Sequence, residues 1–304
     1  MINTPEEKIK NEARKLGFDF CGIAHSDILS FEKNELEKRI EKGFHAEMDY
    51  LARNTEQRAN PELLLDSAQS VIITLTNYHI KNPTQLKNYC LPRYAMFPDY
   101  HKAIREKLTI LKEHIHQSFP EAKTHSFVDA SPIFEKAWAV RTGAGSIGKN
   151  TLLIHPKRGS FVFIGGIITN IKLNANKPSH AFDPCQNCSR CIEACPTQAL
   201  KEPYMLDASR CIAYLTIESK QSIPEEFSKN LKGNIFGCDI CQDVCPWNHR
   251  ISVLPAPSQK QLGTLTDEIL ENLNEELFHQ YFDGLPVKRA GLEKLKQNIK
   301  AAKN

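Results

Sequence analysis

The chain of 304 residues has no apolar run long enough to cross a bilayer; the longest, FVFIGGII at 161–168, falls far short of the roughly 18 residues a span requires. It also lacks an apolar leader. The opening MINTPEEKIKNEARKLGF is polar and helical in pattern, so export is not expected and the cytoplasm is the expected compartment. Charge of one sign is scarce: 39 Lys and Arg against 36 Asp and Glu leave +3, too little for a domain-wide nucleic-acid surface. With 41% apolar and 25% charged residues, disorder, collagen and coiled coil are excluded. A chain of this length buries roughly 75% of its extended surface and needs neither disulfide nor metal to fold.

What the chain does have is cysteine, ten in all. In a reducing compartment these are ligands or catalysts before they are disulfides. Cys185, Cys188, Cys191, Cys195 and Pro196 spell C-x2-C-x2-C-x3-C-P, the run by which bacterial ferredoxins hold [4Fe–4S] clusters. Cys188, Cys191, Cys195 and Pro196 recur fifty residues later as Cys238, Cys241, Cys245 and Pro246. The same shift carries Cys185 onto Ile235, and Cys211 is the nearby cysteine left to fill that vacancy. In two-cluster ferredoxins the fourth cysteine of a run serves the other cluster. The partition expected is therefore Cys185, Cys188, Cys191 and Cys245 for one cluster, and Cys195, Cys211, Cys238 and Cys241 for the other. A zinc site uses two C-x2-C knuckles and leaves the third close cysteine and the Cys-Pro unexplained. Cys21 and Cys90 read as free structural thiols.

Around this region the pattern is mixed. Thr4, Pro5 and Glu7 open a helix that Gly17 ends. Strands are expected at 18–24, 70–78 and 123–129, and helices over 31–42, 99–119 and 132–141. Runs 151–154 and 161–169 are expected to pair across a turn at 156–159. Three regions follow: a mixed helix-and-strand domain over 1–175, a cysteine-rich domain over 176–250, and a helical segment over 251–304. The last helix bears Lys288, Arg289, Lys294, Lys296, Lys300 and Lys303 opposite an apolar stripe of Leu292, Leu295 and Ile299.

Two motifs in the first domain invite chemistry. GAGSIGKN at 143–150 formally contains G-x-G-x-x-G, but it follows a helix and precedes a strand, the reverse of a dinucleotide site. It also misses a P-loop, because Asn150 stands where Ser or Thr is required. A loop letting the backbone approach a large cofactor is the better reading. In FVDASPIFEK, Asp129 ends an apolar strand; it either caps the following helix, as Ser131 could, or is a desolvated carboxyl with a raised pKa that acts as an acid.

The order RYA…DYH (93–101), VDASPIFEK, GAGSIGKNTLLIHPKRGS and the split double ferredoxin run resembles the epoxyqueuosine reductases from about residue 5 to the end of the chain. The resemblance implies an α+β chain: a nitroreductase-like cobalamin-binding α/β domain, a two-[4Fe–4S] bacterial ferredoxin-like domain and a short helical C-terminus without the helical repeats of longer members. It implies reduction of epoxyqueuosine to queuosine at the tRNA wobble position, with cobalamin fed electrons through the clusters by an external low-potential donor. Asp129 matches the family's proton donor. Arg53, Tyr94, Asp129, Lys149, Asn150, His155, Cys238 and Asp239 are implied as corrinoid neighbours, and a monomer without membrane attachment is expected. Where relatives usually have Trp before Ile-Gly-Lys this chain has Ser146. Asp99, His101 and Ile104 fall one glycine short of the D-x-H-x-x-G by which some proteins ligate cobalamin. The rival readings are a reductive dehalogenase, which usually carries an export signal, a ferredoxin-type electron carrier that retains no corrinoid, and a tRNA-binding module without turnover.

Overall fold

A strand with Val71, Ile73 and Leu75 on one face and Ile72 on the other, as in Ser70–Asn77, needs cover on both faces. The computed structural model, which describes residues 4–82, 84, 86–176, 183–251, 253–255 and 260–303, gives it that cover. Strands Phe20–His25 (β1), Ser70–Asn77 (β2) and Thr124–Phe127 (β3) form a sheet with a later strand. Between them and that strand come the short Ser146–Ile147 (β4) and Leu153–Ile154 (β5); the strand itself is Val162–Thr169 (β6). The sheet order is β1-β2-β6-β3 and every pairing is antiparallel. This makes the domain α+β.

The strand period of two sorts the β2 side chains between two cores. Ile72 meets Ile9, Ala13, Leu108 and Leu111 from the helices Pro5–Lys15 and Tyr100–Ser118. Val71, Ile73 and Leu75 face the fully buried Trp138 of the helix Glu135–Arg141. Ile104, Leu108, Leu111 and Ile115 are buried at helical spacing, which is why the long helix lies flat on the sheet. Runs 151–154 and 161–169 do not pair as expected. Instead β5 pairs with β4, β6 joins the main sheet, and a single bridge from His155 to Gly159 closes the turn.

A third core crosses the boundaries drawn from composition. Ile80, Tyr89, Leu91 and Met96 share it with Ile235 and Phe236 of the cysteine region and with Phe282, Leu295 and Ile299 near the end. The helix Leu292–Ala302 lies against this core, with Asn298 fully buried and donating to the carbonyls of Thr216 (2.8 Å) and Ile235 (2.9 Å). No helix among the described residues is long and apolar enough to cross a membrane.

Candidate functional site: cysteine cages beside a carboxylate–imidazole cluster

The two cysteine runs fold alike. Each makes a one-turn helix, Arg190–Glu193 and Ile240–Asp243, and its final cysteine precedes a proline. A cavity of about 740 Å³ is lined by Cys185, Cys188, Cys191 and Cys245 together with Trp247 and Arg250. Burial raises the Cys191 thiol to about 11, with the charges of Cys185 and Cys245 adding to it. Cys195, Cys211, Cys238 and Cys241 gather on the inner side. Burial, then Cys211 and Cys195, push Cys238 to about 12; burial, then Cys238 and Cys211, carry Cys241 well above an ordinary thiol. Cys191 also bears on Cys241, so the two sets adjoin. Among the described residues no three His, Cys, Asp or Glu side chains close on a single metal ion. Backbone N–H groups already point at sulfur, from Lys149 to Cys185 Sγ and from Ala199 to Cys195 Sγ, each at 3.3 Å. Cys21 and Cys90 are free thiols of β1 and of a bridge to Asn234.

The glycine-rich loop is bound to its own hairpin and to the cysteine run. A Cβ on Gly145 would stand 2.2 Å from the Ile154 carbonyl oxygen, so glycine is required there by the β4–β5 pairing. Lys149 Nζ donates to the carbonyls of Gln186 (2.7 Å) and Cys188 (2.9 Å), and Asn150 Nδ2 reaches the Cys241 carbonyl at 3.5 Å. Both residues therefore join the first domain to the cysteine loops. His155 is buried, its Nδ1 accepts from the Lys157 N–H, and desolvation lowers its pKa to about 4. Its ring is used inside the turn. Arg53 is exposed at the end of the short helix Tyr50–Arg53. The buried Asp239 accepts from Arg93 N (2.8 Å) and Nη1 (3.3 Å) and from Gln242 Nε2 (2.9 Å), while burial raises its pKa to about 6.

Asp129 differs from both readings made of it. The helix after it starts at Glu135, with Phe134 at its N-cap, so Asp129 caps nothing. Its carboxylate accepts from Tyr100 Oη at 3.1 Å and lies 3.0 Å from His101 Nε2. His101 holds its pKa below the usual carboxylate range, outweighing desolvation, and Tyr100 and the charge of Arg289 add to this. The side chain keeps about half of its exposure, 53%. The raised carboxyl is Glu135, pushed up to about 8 by burial and by the negative charge of Asp129. Glu135 Oε1 accepts the Asp129 backbone N–H at 2.6 Å and holds Asp129 at a φ of +58°.

Little in the sequence singles out Glu135, although it sits in the same FVDASPIFEK motif: it is a carboxyl six residues after Asp129, at the first position of the helix. Tyr100 and His101 were noticed, but nothing in the sequence joined them to Asp129. The basic last helix is largely neutralised: Lys288 pairs with Asp283, Arg289 with Glu218, Lys296 with Glu293 and Lys303 with Glu271, and Lys294 bonds the Gln221 carbonyl.

Comparison with known proteins matches two family descriptions: "4Fe-4S double cluster binding domain" over residues 184–248 and "Epoxyqueuosine reductase QueG, DUF1730" over residues 58–130. An epoxyqueuosine reductase of Leadbetterella byssophila is 42% identical over 296 residues, covering 96% of each chain. A crystal structure of epoxyqueuosine reductase with an epoxyqueuosine-modified tRNA-Tyr stem loop superposes with a TM-score of 0.87 at 28% identity, over 97% of this chain and 80% of that one. The Bacillus subtilis epoxyqueuosine reductase, solved with the catalytic loop of an aspartate swung out of the active site, gives a TM-score of 0.81 at 28% identity, over the same shares.

Proposed function

The chain belongs to the epoxyqueuosine reductase family, and from that premise we propose that it reduces epoxyqueuosine to queuosine at the wobble position of tRNA, with Asp129 delivering protons. The observation that carries this reading is the assembly of eight cysteines as two adjoining cages beside a domain that presents Asp129 to solvent. The donor set fits two [4Fe–4S] clusters: four thiols line an open cavity, four more lie within electrostatic reach of one another, and backbone N–H groups are aimed at sulfur.

A corrinoid also fits. Tyr94, Asp129 and Arg289 influence one another across one region, and the nearby Arg58 Nε is buried with no partner within the described residues. Tyr94 and Asp129 would border the group, with the Cys238–Asp239 segment on its electron-donating side. Bound there, it supplies a strongly reducing, nucleophilic metal centre for breaking a carbon–oxygen bond. Lys149 and Asn150 are bonded to the cysteine loops and His155 Nδ1 to its own turn, so any contact these residues make with the group would be added to those bonds.

The chain's own residues handle the protons. Removing the epoxide oxygen as water takes up two electrons and two protons. Asp129 points its carboxyl outward, with Tyr100 and His101 fixing the rotamer and Glu135 fixing the backbone. The wobble nucleoside can splay out of an anticodon loop and enter singly. An aspartate loop is catalytic in the Bacillus subtilis relative, and another relative binds a modified stem loop; both properties are carried to this chain as part of the proposal. A tRNA substrate places the enzyme in the cytoplasm, acting as a monomer with an external low-potential electron donor.

The test is anaerobic reconstitution with iron, sulfide and cobalamin, followed by assay on epoxyqueuosine-containing tRNA with a strong reductant. Queuosine forms, and Asp129→Asn keeps iron and corrinoid absorbance while losing roughly 10²- to 10⁴-fold in turnover. A chain loaded with about eight irons that has no affinity for cobalamin would be an electron carrier, and the proposal would fall.

A further inference from the structure

At the start of the helix Tyr100–Ser118, Asp99 has no part in the function as stated so far, and His101 has served only to fix the Asp129 rotamer. Asp99 caps that helix: Oδ1 accepts from the His101 backbone N–H at 3.0 Å and lies 2.8 Å from His101 Nδ1. The other ring nitrogen, Nε2, lies 3.0 Å from Asp129 Oδ2. A neutral imidazole has one N–H, whereas two ionised carboxylates can only accept. One imidazole with both nitrogens against carboxylate oxygens therefore needs one more proton than its neutral form supplies. The ring is held for that task, stacked on Tyr100 at 4.0 Å between centroids, with Tyr100 stacked in turn on Phe163 at 4.1 Å.

We propose that His101 is the proton store of the site, a positioning residue that keeps Asp129 in place and reloads it each time Asp129 gives up a proton. The proposal rests on Asp129 being the donor to substrate. The Nε2–H bond of His101 breaks as the Asp129 carboxylate takes its proton, leaving a neutral imidazole whose Nδ1–H stays bonded to Asp99. The new O–H bond of Asp129 then breaks as that proton bonds to the departing oxygen, which returns Asp129 to its carboxylate form. Solvent restores the Nε2 proton, since the His101 side chain is 21% exposed. A second round supplies the second proton, and the two electrons come from the external reductant through the clusters.

The charged and titratable groups around His101 are Asp99 and Arg105 on its own helix, the Tyr100 phenol stacked on it, Asp129 and Glu135 from the segment after β3, and Arg289, which bears on Asp129 from the C-terminal region. The hydrogen bond to Asp129, then that to Asp99, raise the imidazole pKa above its ordinary 6.5 against desolvation. The store is thus fuller at any given pH than a free imidazole would be, and it empties as pH rises through that raised value.

The test compares the pH dependence of single-turnover reduction of epoxyqueuosine tRNA for the holoenzyme and for His101→Ala, Asp99→Asn and Asp129→Asn. Wild type loses rate as pH rises through the raised imidazole pKa. His101→Ala slows by about 10²-fold, lacks that alkaline limb and recovers rate on addition of imidazole. Asp99→Asn, which still caps the helix, moves the limb to lower pH. A wild-type pH profile in His101→Ala overturns the proposal; if that variant does not fold, an unmoved limb in Asp99→Asn does so. An active Asp129→Asn would instead overturn the underlying reading of Asp129.

Discussion

The two cysteine runs share spacing and local fold, yet they differ at one position. Cys185 opens the first run from a loop tied by Asp183, whose Oδ1 accepts the Cys185 and Gln186 N–H groups, and by Lys149. Its counterpart fifty residues on, Ile235, has 0% exposure and belongs to the third hydrophobic core. The second run has exchanged a ligand for an anchor, and Cys211, at the N-cap of the helix Ile212–Ile217, stands among its thiols in compensation. One run faces an open cavity; the other is built into the packing between the first domain and the C-terminal helix. Ser160 reinforces that seam by donating to Gln242 Oε1 at 2.9 Å, and Gly159 fits because a Cβ there would lie 2.0 Å from Asn248 Oδ1. A repeat can thus preserve a ligand geometry while its copies take on different structural duties.

This contrast can be broken in several ways. The largest effect is expected from Cys211→Ala, which should take iron from about eight to about four per chain and abolish turnover. Adding Ile235→Cys should not restore the iron, because that side chain points into the core; recovery of eight irons would show that the runs are equivalent after all. Next, limited exposure to air or chelator should release iron in two phases, the first from the open set of Cys185, Cys188, Cys191 and Cys245. Cys188→Ala should remove that fast phase and leave the slow one. Lys149→Met should lower the potential of the open cluster by an amount on the order of tens of millivolts, since it removes a cation and two hydrogen bonds from the loop; spectroelectrochemistry would read the shift. The smallest effect is Asn298→Ala. It leaves the buried Thr216 and Ile235 carbonyls without their donor and should cost about 1–3 kcal/mol in denaturant unfolding, with turnover unchanged.

Much of this was legible along the chain. The capped first helix, the buried β2, the long amphipathic helix and the cysteine run all follow from local spacing, because capping, periodicity and ligand reach act over a few residues. Where reading failed, the deciding partner was distant. GAGSIGKN gives no local sign that Gly145 must clear the Ile154 carbonyl, or that the Lys149 ammonium rests on the Gln186 and Cys188 carbonyls. Asp129 was expected to carry a raised pKa because it ends an apolar strand. The helix that brings His101 and Tyr100 against it reverses that sign and passes the raised pKa to Glu135.

By itself the sequence determined the alternation of elements, the eight-cysteine complement with its fifty-residue repeat, and the family motifs, since each depends on residue type and short spacing. Tertiary structure decided which thiols line an open cavity, which carboxyl keeps its charge, and which carboxylates the basic side chains near the C-terminus meet. These depend on desolvation and Coulomb interactions between side chains that are neighbours in space but far apart in the chain, and such terms have no signature in local order.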